Sequence, residues 1–101
     1  MKKEQLKELA QHVKEAIAEG QKAADTVEDD GTCNMDTVTV YLPGTRLATM
    51  EALGISRYKL RDSFAISCSF GQANKNTNGV RAVADYLKGK GWDAGVWYQM
   101  D

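Results

Sequence analysis

The chain has few of the residues from which metal centres and covalent crosslinks are built. Two cysteines, Cys33 and Cys68, and one histidine, His12, occur among its 101 residues. No Cys-x-x-Cys pair is present, and a tetrahedral zinc site needs four ligands, so neither a metal nor any cofactor is expected. A disulfide is not expected in a reducing compartment. The single proline, Pro43, punctuates the end of an apolar run. No stretch approaches the roughly 20 apolar residues of a membrane span, and no secretory n-region and h-region opens the chain. The expectation is a cytoplasmic protein with no membrane partner. The net charge of -1 argues against a general polyanion binder.

What is there fits one soluble domain over 1–101, with 1–30 an amphipathic helix and acidic loop and 36–101 an α/β sandwich. Five basic and eight acidic residues fall in 1–30, against eight and six in 31–101, so the N-terminal portion is the acidic one. Leu6, Leu9, Val13, Ile17 and Gly20 recur at three- and four-residue steps with Lys, Glu and Gln opposite them. This predicts an amphipathic helix from about Lys3 to Val27 whose apolar stripe must be buried, on its own domain or in a homodimer. His12 lies at the polar boundary of that helix with no orienting partner in view, which assigns it to packing or solvent rather than to acid–base work. Glu28, Asp29 and Asp30 sit at the negative end of the helix dipole and predict fraying into a loop through Met35.

Thr37 to Leu42 alternates Val38, Val40 and Leu42 against Thr37, Thr39 and Tyr41, a strand pattern. Thr45 is placed to cap a short helix that buries Leu47, Met50 and Leu53. The next stretch, ATMEALGISRYKLRDSF from Ala48 to Phe64, admits two structures. Ala48, Gly54, Ile55, Leu60 and Phe64 resemble the core of bacterial helix-turn-helix domains, and that resemblance implies a sequence-specific DNA reader at 46–64. Against it, Phe64, Ile66, Cys68 and Phe70 alternate with Ala65, Ser67 and Ser69, which is period two. The strand reading makes Ile55–Leu60 and Phe64–Phe70 a hairpin joined at Arg61-Asp62, with Arg57, Lys59 and Arg61 on one side and Tyr58 and Leu60 on the other.

Gly71 to Gly79 has the composition of a polar loop, with Thr77 or Asn78 capping a helix from about Asn78 to Lys88. It matches neither nucleotide-binding glycine pattern. Gly89 and Gly91 stop the helix, and Trp92 to Met100 returns as a strand. After the first helix the order is βαββαβ, which predicts an α+β fold of the ferredoxin-like plait type. The outer face of its sheet would show Thr37, Thr39, Tyr41, Trp97 and Gln99, and the N-terminal helix would lie across that face or dimerise.

The C-terminal GWDAGVWYQMD resembles the ends of small proteins of phages and conjugative elements. That resemblance implies a mobile-element protein that inhibits a host protein. No catalytic constellation emerges: the serines lack a nearby histidine, Cys68 falls on the apolar alternation, and Cys33 has no adjacent cation to lower its pKa. The expectation is a non-enzymatic protein-binding module acting through Tyr41 and Trp97 of the sheet face, or through a basic rim of Arg57, Lys59, Arg61, Lys75 and Arg81. The rival partner is nucleic acid, through the helix-turn-helix or by base stacking on Tyr41, Tyr58 or Trp97.

Overall fold

The computed structural model describes residues 2–27, 36–70 and 73–97. They form α1 (Lys3–Ala24), β1 (Thr37–Tyr41), α2 (Leu47–Ala52), β2 (Ser56–Leu60), β3 (Ser63–Ile66), α3 (Ala73–Gly89) and β4 (Ala94–Trp97). The strands make one four-stranded antiparallel sheet in the order β2-β3-β1-β4. The molecule is thus an α+β protein with a long N-terminal helix. The acidic loop from Glu28 to Met35, Cys33 and the last residues Tyr98 to Asp101, Gln99 among them, lie outside the described residues.

The helix-turn-helix at 46–64 is overturned. Leu60 pairs with Ser63 across the two-residue Arg61-Asp62 turn, so the segment expected to enter a DNA groove is a β-hairpin. Two physical causes agree. Gly54 takes φ +74, Gly54 N–H donates to the Glu51 carbonyl and Ile55 N–H to the Met50 carbonyl, which closes α2 in a Schellman motif after only six residues. Beyond it, Phe64 and Ile66 are both buried on one side of β3, which a helix could not arrange. The same device ends α3, where Gly91 takes φ +94 and Trp92 N–H reaches the Leu87 carbonyl at 3.1 Å.

Two expected caps are replaced by tertiary contacts. Arg46, not Thr45, precedes α2 at the N-cap, and the Thr45 hydroxyl is buried without a hydrogen bond while its carbonyl accepts from Lys59 Nζ at 2.7 Å. The polar run expected as a loop is helical from Ala73, so neither Thr77 nor Asn78 is a cap. Its polar residues serve the interior instead. Asn76 is 2% exposed, accepts from Phe70 N–H at 3.1 Å and donates to the Asp36 carbonyl at 3.2 Å. Thr77 Oγ1 donates to Asp36 Oδ2 at 3.0 Å. The start of β1 is thereby tied to the first turns of α3.

One side of the sheet carries the core. Val38, Val40, Leu42, Phe64, Ile66 and Ala94 face Val80, Val83, Ala84 and Leu87 of α3 and Met50 of α2. The stripe of α1 (Leu6, Leu9, Val13, Ala16, Gly20 and Ala24) is buried in the same layer, with α3 as its main neighbour. The helix therefore does not cross the outer sheet face. Its stripe is largely buried within the chain, with Ala10 and Ile17 partly exposed beside it.

The seat of α1 on α3 is a notch of two glycines filled by a ring. A Cβ on Gly20 would come within 2.6 Å of Phe70 Cζ and 2.8 Å of the Gly79 carbonyl oxygen, and one on Gly79 would overlap the Phe70 ring itself. Further along, Trp92 Nε1–H donates to His12 Nδ1 at 2.9 Å with the rings edge to face. Indole is only a donor, so Nδ1 is the unprotonated nitrogen and His12 is a tether between α1 and the chain entering β4. Tyr86 on α3 makes a short hydrogen bond to Glu15 Oε1, and Gln11 Nε2 donates to Oε2 at 3.0 Å.

Overpacking of this kind costs about 1–3 kcal/mol. Gly79→Ala should lose that much in urea denaturation, whereas Gly89→Ala, where a Cβ meets nothing, should gain about 0.5–1 kcal/mol from reduced chain entropy. Equal effects would mean that the notch is not tight.

The Tyr86 bond, then Gln11 and more weakly Lys90, hold the Glu15 carboxyl below its ordinary 4.5 against the opposing effect of burial. A depressed carboxyl contributes stability that is present above the unfolded pKa and lost as pH falls through the folded one. Tyr86→Phe should move the Glu15 midpoint up toward 4.5 in a carboxyl carbon NMR titration and weaken the acid dependence of stability. An unmoved midpoint would assign the depression to the lesser partners.

Candidate functional site

With both long helices on one side, no other described element covers the second face of the sheet, and the register fixes its map. One row across the strands holds Leu60, Ser63 and Tyr41. The next holds Tyr58, Ala65, Thr39 and Gly95, and Thr37 and Trp97 begin the third. The middle row is low because alanine, threonine and glycine have little to project. The neighbouring rows rise as Tyr41, Leu60 and Trp97, and Tyr58 stands at the end of the low row.

The four large side chains are the exposed hydrophobics of the described residues: Tyr41 at 48%, Tyr58 at 51%, Leu60 at 53% and Trp97 at 42%. They enclose a shallow depression of about 570 Å³ that Arg61 and Asp62 border at the hairpin turn. The cluster is rimmed by hydroxyls and by one charge of each sign.

The sequence-derived candidates divide. Tyr41, Trp97 and Arg61 come together on this face, joined by Tyr58 and Leu60. The other basic residues do not join them. Arg57 sits at a β-bulge between Ser56 and Tyr58 and shares a surface hollow with Glu51 and Ser69. Lys59 pairs with Phe64 on the helix side, its ammonium 5.2 Å from that ring and bonded to the Thr45 carbonyl. Lys75 and Arg81 belong to α3, which packs on α1, β1 and β4 rather than on the β2 edge, and Lys75 lies 3.7 Å from Asp25 of α1.

A bulge at Arg57 and the turn at Arg61 break up the expected basic stripe. Ser56, fully buried, donates its hydroxyl to the Ala65 carbonyl at 2.6 Å and accepts from Tyr58 N–H at 3.4 Å, replacing ladder bonds that the extra residue displaces. Sequence parity alone puts Tyr58 and Leu60 on one face, which holds. It gives no sign of the bulge.

Arg61 takes φ +57, the one positive value among the described non-glycine residues. Two-residue hairpins favour glycine there, because a Cβ crowds the carbonyl in the left-handed region.

The face offers rings, one aliphatic side chain, hydroxyls, and an Arg and an Asp. The histidine is bonded to Trp92. Burial pushes the Cys68 thiol up to about 11, which keeps it protonated near neutral pH. Among the described residues no group of three or more His, Cys, Asp or Glu side chains could hold a metal ion, and no helix is long and apolar enough to cross a membrane. No protein-family model, curated protein or solved structure matches the chain.

Left-handed backbone costs a side-chain-bearing residue about 1–2 kcal/mol. Arg61→Gly should therefore raise the free energy of unfolding by about 1 kcal/mol in urea, while Arg61→Ala should leave it nearly unchanged. A gain in both variants would trace the effect to the guanidinium and not to the backbone.

Proposed function

We propose that this protein is a non-enzymatic binding module whose partner is another protein, docked on the open sheet face. The observation that carries the reading is the clustering of Tyr41, Tyr58, Leu60 and Trp97, each 42% exposed or more, around a low floor on one face. Tyr, Trp and Arg are the residue types that dominate binding energy at protein interfaces, where they sit centrally in patches that exclude water.

The fold reading belongs here too. The order βαββαβ after α1 and the sheet order β2-β3-β1-β4 support a ferredoxin-like plait with one added helix. In that arrangement the helices cover one face and leave the other to partners. A phage or conjugative-element origin, with a host protein as the inhibited target, rests on the C-terminal resemblance alone.

Nucleic acid is the weaker reading. Stacking platforms combine aromatic rings with a positive groove along the backbone of the strand. Here Arg61 is the face's cation and Asp62 stands beside it, while Lys59 is turned to the other side of the sheet.

The test is a photo-crosslinking amino acid placed at Tyr58, with Glu8 on the outer side of α1 as control, in cells that carry the protein's natural host proteome. A discrete protein adduct at position 58, absent at position 8 and abolished by Trp97→Asp, is expected. Adducts equal at both positions, or an adduct to nucleic acid, would overturn the reading.

A further inference from the structure

Three contacts seat α1 along α3, and their order makes the two helices antiparallel. Gly20 meets Gly79, Glu15 meets Tyr86, and His12 meets Trp92 just past the end of α3. Since α3 stops at Gly89, the part of α1 ahead of His12 reaches beyond it. Lys3 to Gln11 is therefore an overhang of about two and a half turns.

Only one side of the overhang is packed. Leu6 and Leu9 enter the core, whereas on the flank a hollow of about 350 Å³ opens between Lys7, Ala10 and Gln11 and the Leu53-Gly54 turn. The hydrogen bond from Trp92 to His12 is the polar tie that lies nearest to this segment.

That tie depends on a proton. Indole only donates, so Nδ1 must offer its lone pair. A second proton on the imidazole sets two N–H groups against each other at 2.9 Å, and the bond is lost. The surrounding charges tolerate the protonated ring. Glu8 and Glu15 lie one turn to either side of His12 on α1, and Asp93 follows Trp92 at the entry to β4. From α3 come Tyr86, whose hydroxyl is bonded to Glu15, and Lys90, whose ammonium lies 5.4 Å from the Tyr86 ring. Three carboxylates against one ammonium leave room for a further positive charge, so the loss of the Trp92 bond is the main consequence of protonation. At the other end of the seam, Gly20, Gly79 and Phe70 meet without any ionisable group.

We propose that the His12–Trp92 bond is a pH-sensitive latch on the N-terminal overhang of α1. With His12 neutral the latch is closed. Once the ring is protonated, Lys3 to Gln11 opens more often and bares Leu6 and Leu9, while α1 stays seated at the notch of Gly20 and Gly79. Because the bond needs the neutral ring, its contribution is present at higher pH and lost as pH falls through the range in which imidazole takes up a proton, about 7.5 to 5. Glu15 keeps its charge in that range, since its carboxyl lies below the ordinary 4.5, so the bond from Tyr86 persists and the two events separate. One hydrogen bond sets the size of the effect, about three- to tenfold in the opening equilibrium.

NMR spectroscopy of the wild-type chain tests this. The Trp92 indole N–H proton should move upfield on acidification with the same midpoint as the His12 ring, while the Trp97 indole, on the opposite sheet face, should not move. Amide exchange, corrected for its intrinsic pH dependence, should lose about three- to tenfold of its protection over Lys7 to Gln11 between about pH 7.5 and 5, and none around Gly20. His12→Asn keeps an acceptor near the position of Nδ1 and does not titrate, so its protection should be constant across the range. Trp92→Phe should show the low protection at both ends of it.

A Trp92 indole that is unmoved while His12 titrates, or a loss of protection spread evenly along α1, overturns the latch. So does a loss that persists undiminished in His12→Asn, which would place the titrating group elsewhere. Each of these outcomes is independent of what docks on the sheet face.

Discussion

The packing of Phe70 against Gly20 and Gly79 is the contact on which the arrangement depends. Two helices can approach at a notch only where neither carries a Cβ, and a ring fills the remaining space at the density of a well-packed interior. That contact seats α1 beside α3 on the helix side of the sheet. Had either glycine been larger, α1 would have had to find another bed for Leu6, Leu9 and Val13. The outer sheet face was the apolar alternative, so the openness of the face follows from the closeness of the two helices.

A buried polar network holds the same region from the other side. Asn76, in the middle of a run that reads as a loop, spends its amide on Phe70 N–H and the Asp36 carbonyl. Buried polar groups cost little only when fully bonded, and here the bonds join three separate segments: the start of β1, the chain entering α3, and α3 itself. The segment that delivers Phe70 to the notch is thus fixed by the side chain that also registers α3 against the sheet.

Much of this was legible in residue order. The parity of Thr37 to Leu42 and of Phe64 to Ile66 gave strands and their buried faces, and Tyr41 and Trp97 emerged on the face expected of them. Three things were not legible. The landing site of α1 depends on a glycine in each of two helices and a ring between them, which no local pattern links. The start of α3 at Ala73 contradicts local propensity, because Asn76 and Thr77 are bonded to Asp36, far off in sequence. The bulge at Ser56 and Tyr58 puts Arg57 out of step with Lys59, and Arg61 stands in the left-handed turn beyond β2, so the three do not form the stripe that simple alternation places together.

One edge of the sheet is guarded against strand addition. An exposed edge strand offers unpaired backbone groups to any extended chain, and proteins blunt such edges with bulges, charges and shortness. β2 carries the bulge together with Arg57 and Lys59, and Ser56 turns its hydroxyl inward to bond the backbone there. Strand addition is thus hindered at the β2 edge by features that stabilise the fold only modestly. The rings of Tyr41, Tyr58 and Trp97 carry no such protection, and their exposure has no structural return within the chain. The chain thus leaves three aromatic rings in water beside an edge that is closed to strand addition, and on the proposed reading that contrast steers a partner to the face rather than to the β2 edge.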